Sequence, residues 1–180
     1  SAEKQLHIAE QRNSISAQDA QRNVENAKRA ETYQIDLAKT SMEKAYDKYE
    51  IAMVNYNDAA KTFRNLKDDE NASYDNYINA KNHAEALAVI LQEKEVQVVE
   101  AAARLDNIQS VSSGDTAAYQ AAQENLQIAV AERDAVKEQY EEALTAVPGL
   151  EALYLQTKAA REAQGQVVNG LEDKYDEMTE

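Results

Sequence analysis

Apolar residues recur along this chain with an alternating three- and four-residue spacing. From Met42 to Ile108 the spacing is unbroken. Every position on it is apolar or aromatic except Glu70, Ser73 and Lys94. A repeat of 3.5 residues keeps one face of a helix turned toward a partner over many turns, so this run predicts a coiled-coil seam. No Gly or Pro falls within it to force a break. At 1.5 Å per residue such a helix is roughly 100 Å long. A second run extends from Tyr119 to Met178, with Arg133, Thr157, Arg161 and Gln164 as its polar members, and its phase survives Pro148.

Residues 109–116 separate the two runs. They contain Gly114, the first glycine of the chain, among small polar residues, with Asp115 or Thr116 placed to cap a following helix. The reading is all-α: an elongated antiparallel coiled-coil hairpin over residues 42–180, with its tip at 109–116 and a kink near Pro148. Pro148 removes a helical hydrogen bond, and counting back from the tip sets it close to the acidic stretch 67–73, which interrupts the first seam. A shared kink is the expectation; a true turn at 68–73, or a division of the second helix at Pro148, is the rival. The same counting sets Glu70 near Thr157. It sets Lys94 near Arg133 or Asp134, so that one of the two cations reaches outward to Glu93 or Glu132.

Residues 1–41 form an N-terminal helical arm by propensity, but no clean heptad persists there. A stretch resembling a capping box, Thr40-Ser41-Met42-Glu43, allows a helix to start afresh. The position beside the first seam reads Tyr46, Met53, Ala60, Lys67, Tyr74, Lys81, Ala88, and the matching stripe on the second run reads Ala146, Leu153, Ala160, Val167. A face widened in this way belongs to a helix with more than one neighbour. The expectation is therefore that the arm folds back as a third helix, with self-association through the same surface as the alternative. Tyr46, Met53 and Tyr74 are the candidate partner surface, together with the tip residues Val111, Ser112, Ser113, Gly114 and Asp115.

Composition narrows the function. The net charge of −14 and pI of about 4.6 disfavour nucleic acid and anionic lipid surfaces. There is no Cys, hence no disulfide frame or thiolate metal site. No apolar run approaches 18 residues, so no membrane span is expected. Nothing reads as a signal peptide, and Ser1 reads as the start of an excised fragment. The two histidines, His7 and His83, belong to neither Glu-x-x-His nor His-Glu-x-x-His; Glu3 and His7 make a two-ligand pair at most. There is no nucleophile elbow and no phosphate loop. The chain reads as a non-enzyme without cofactor or metal, whose partner is a protein or a second copy of itself.

Two bacterial families share this pattern. The run Ala-Arg-Leu-Asp-Asn-Ile-Gln at 103–109, the polar tip, and Asp-Thr-Ala-Ala-Tyr-Gln-Ala-Ala-Gln-Glu-Asn-Leu at 115–126 resemble the exported coiled-coil segment of type III secretion translocators. That likeness implies a long helix, a shorter returning one and a third. The tyrosine-bearing stretch 42–63 is similar to the receptor-binding hairpin of colicin-type bacteriocins, although the tip here is shorter than theirs. Neither likeness assigns a site residue. The functional expectation is an interaction or spacer module of a larger secreted or surface-attached bacterial protein. The alternatives are a region of a pore-forming translocator or bacteriocin-type toxin, and an intracellular scaffold.

Overall fold

The computed structural model describes residues 1–111 and 116–179, with no side-chain account of residues 110 and 111. It contains two helices, α1 (Ala2–Val111) and α2 (Thr116–Thr179), and no strand among the described residues. The two helices run antiparallel and make a helical hairpin. The expected tip residues Ser112, Ser113, Gly114 and Asp115 lie outside the described residues, as does the side chain of Val111. By contact the chain divides into two compact units, Ser1–Asn57 with Leu171–Glu180, and Asp58–Gly170.

In the second unit the covered positions follow the predicted spacing. On α1, Ala59, Phe63, Leu66, Glu70, Ser73, Tyr77, and so on through Ile108 all lose exposure, and nearly every position between them stays exposed. On α2 the same holds from Ala122 to Val168. The core this makes is thin. Among the described residues its buried apolar members are Ala59, Ala84, Leu87 and Ala122, of which Leu87 alone is large. Alanine lets two helices approach closely but removes little apolar area from water, so most stability must come from the many half-covered residues of the seam. Ser73 sits in the seam at 8% exposure because its hydroxyl donates to the Asp69 carbonyl one turn back, which satisfies the polar group locally.

Cross-helix contacts fix the register. Tyr74 meets Tyr154, Gln109 donates to Tyr119, and Phe63 packs at Gly165; in each pair the residue numbers total 228. A Cβ on Gly165 would lie 3.2 Å from Phe63 Cε2, so the glycine gives the ring its place.

Several expectations change. α1 does not restart at 40–43: the Thr40 hydroxyl donates to the Asp36 carbonyl inside a continuous helix. Residues 2–41 are the first part of α1 rather than a third helix folded back, and every residue from 1 to 48 is exposed. With no Gly or Pro in the arm, nothing stops the helix from propagating. The acidic stretch 67–73 is likewise helical, and α2 passes through Pro148, so neither rival division occurs. The two irregularities also do not oppose each other. Glu70 meets Arg161, whereas Val147 lines a groove with Lys81 and Ala84. By that register Pro148 lies level with Ala80, seven residues beyond the end of the acidic stretch. The widened stripes, finally, cover little: of the seven positions beside the first seam only Ala60 and Ala88 are half-covered, and the four on α2 are all exposed.

Candidate interaction surface

The polar members of the seam give it specificity. In the second unit, Arg161 clamps Glu70 with both arms of its guanidinium, Nε donating to Oε2 and Nη2 donating to Oε1 at 3.2 Å. The Glu70 side chain is 14% exposed and that of Arg161 29%. A fork-to-carboxylate pair is directional, so it fixes which turn of α2 faces which turn of α1. The Arg161 hydrogen bonds hold the Glu70 carboxyl below its usual range, against the opposing effect of burial. One turn further along α2, Gln164 Nε2 donates to the Ala59 carbonyl at 3.1 Å. Phe63, Arg161 and Gly165 border an open groove of about 490 Å³ with Glu162, Gln166 and Asn169.

Toward the other end of this unit, Lys94 reaches across to Glu132 at 2.9 Å, one of the two acids expected to receive it, and Arg133 turns to its neighbour Asp134. Each cation thus takes a different carboxylate, and the two like charges do not compete. Tyr154 lies between two aromatic residues of α1, with ring centroids 5.2 Å from Tyr74 and 6.2 Å from Tyr77, the latter stacked.

In the first unit, Tyr175 performs the same role for Tyr49 and Tyr56, with centroids at 5.2 and 6.2 Å. The Tyr49 and Tyr175 hydroxyls share a hydrogen bond. That bond is the first cause of a raised Tyr175 pKa, so the phenol pair favours the folded form below the ordinary value of 10.0 and loses that effect as pH climbs through the raised one. The pairing was not anticipated from sequence. Its signal was available, since both tyrosines occupy seam positions, but only a known register shows that they meet.

Of the candidate partner residues, Tyr46 is 62% exposed and Met53 37%, both in the first unit. Tyr74, in the second, is 45% exposed and already leans on Tyr154, so part of its ring is engaged within the chain. Among the described residues no group of three or more His, Cys, Asp or Glu could hold a metal ion. Among the described residues no helix is long and apolar enough to cross a membrane. No protein-family model, curated protein or solved structure matches the chain.

Proposed function

We propose that this chain is a coiled-coil interaction and spacer module, without catalytic activity, belonging to a larger secreted or surface-attached bacterial protein. The observation that carries the reading is the alternation of covered and exposed positions in 3-4 steps from Ala59 to Ile108 on α1 and from Ala122 to Val168 on α2. A two-helix seam of that kind uses its apolar residues to stiffen the pair, and leaves the outward faces polar and free for contact. Alternation of large and small residues suits the task. Tyr56, Phe63, Tyr77 and Tyr154 fill space beside alanines, which gives a stiff pair without a wide core. Strong negative charge on the outward faces maintains solubility and repels indiscriminate partners.

A spacer must hold its two ends apart. Spin labels on cysteines introduced at the exposed Asp58 and Asp106 of the second unit should lie about 70 Å apart, the rise of one straight helix over that interval. A broad distribution centred below about 40 Å would mean that the segment bends or collapses, and the spacer reading would be abandoned.

A further inference from the structure

The arm of α1 carries a face of its own. Around a helix of 3.6 residues per turn, positions 2, 6, 9, 13, 17, 20, 24, 27, 31, 35, 38 and 42 fall within one strip about 80° wide. Ten of these twelve are apolar; Asn13 and Glu31 are the exceptions. The strip runs on into the face that Tyr49 and Tyr56 present to Tyr175 in the same unit. None of the described residues covers it: Leu6, Val24, Ile35 and Met42 are 47–68% exposed. The opposite face also carries Ile8, Ile15, Tyr33 and Leu37, but Asp19, Arg22, Asn26 and Arg29 divide it through the middle turns.

The intervals along the strip read the same from either end, with position 22 at the centre. That symmetry is what an isologous contact requires, because residue i of one copy must meet j of the other while j meets i. We infer that the arm is a homodimerisation surface, in which two copies of this chain pair antiparallel about a two-fold axis at position 22. The pairing sets Met42 against Ala2, Leu6 against Ala38, Ile35 against Ala9 and Val24 against Ala20, large opposite small at these four levels. Ala17 meets Ala27, where the backbones come closest. The only two polar members, Asn13 and Glu31, meet each other, and the Asn13 amide donates to the Glu31 carboxylate. Shifting the register by one turn would strand that carboxylate against apolar side chains.

Charge also fits a second copy. Residues 1–41 contain six Lys or Arg and six Asp or Glu, so the arm is neutral and the net −14 resides wholly on residues 42–180. Two arms therefore meet without the like-charge repulsion that two copies of the acidic residues 68–180 would feel. On the flank of the strip, Glu3 of one copy lies near Lys39 of the other, twice by symmetry. The contact extends over about 60 Å and buries on the order of 800 Å² per partner, the size of a specific interface.

This inference rests on the interaction-module reading and names its partner. The chain has no cysteine, so a single introduced one labels a unique site. Arg22 and Thr40 both point away from the strip. In the intact chain at about 100 µM, a spin label at Arg22→Cys should report an intermolecular distance of about 25–30 Å, and one at Thr40→Cys about 60 Å. Val24→Glu, which sets two carboxylates beside the centre, should turn the dimer into a monomer by light scattering with helicity unchanged. Short distances at both sites would mean parallel pairing and would overturn the inference, as would a monomeric chain. Either result leaves the separation between Asp58 and Asp106 within one copy as a distinct readout, so loss of the dimer and loss of the spacer are told apart.

Discussion

Leu87→Ala should destabilise the hairpin by about 2–3 kcal/mol, measured by urea or thermal unfolding of the intact chain followed by circular dichroism. Leu87 is 7% exposed and is the single large side chain among the buried apolar residues described. Its neighbours along the seam, Ala84 and half-covered Leu91, cannot fill the volume it leaves. In a globular core, one leucine is one of many. Here each level of the seam holds few side chains, so truncation removes most of the apolar burial at that level. Val99→Ala is the contrasting case. Val99 lies on the same helix in the same unit but is 68% exposed, and its truncation should change stability by no more than about 0.5 kcal/mol. Equal losses at both positions would show that the 3-4 spacing does not decide what is covered.

Arg161→Leu is expected to lower the urea midpoint of unfolding, because it leaves the Glu70 carboxylate in the seam without its donors. The double variant Glu70→Leu/Arg161→Leu should recover much of that loss, since no charge is then stranded and apolar side chains fit the 3-4 face. The expected pH dependence has a definite sign. The Glu70 carboxyl is held below its ordinary 4.5 by the Arg161 hydrogen bonds. A lowered carboxyl stabilises the fold fully above the unfolded value and loses that contribution as pH falls through the folded one. The wild type should therefore weaken relative to Arg161→Leu as the solution is acidified below about pH 4.5, so that the gap between them narrows. A gap that stayed constant from pH 7 to pH 3 would mean that the ion pair contributes nothing beyond packing.

The parts of this fold that were legible in the sequence share one property: their period is that of a pair of helices. From Ala59 to Ile108 and from Ala122 to Val168, spacing alone picks out the covered residues, including the polar ones at Glu70, Ser73, Lys94 and Arg161. Register was legible to within a residue where seam positions were counted: pairs that total 228 set Glu70 level with Lys158, beside the expected Thr157, and Lys94 level with Asp134. What the count did not show is that Arg161, almost one turn further along α2, reaches back to Glu70. The arm is harder to read. Its apolar strip follows the 3.6-residue period of a straight helix, so a search for heptads finds only drift. Tyr46 and Met53, which look like a third stripe, simply remain exposed on a continuous helix. A capping pattern at 40–43 permits a helix start but cannot compel one where the preceding residues also propagate helix.

The reversal of the chain is the claim on which the seam, the register and the proposed role all depend. Cysteines placed at the exposed Asn82 and Thr145, on the outer faces of the two helices in the second unit, and carrying spin labels, measure it directly. Helices packed 8–10 Å apart with these positions at the same level place the labels about 25–30 Å apart within one molecule. A separation beyond about 60 Å in the monomeric Val24→Glu background would contradict the antiparallel hairpin.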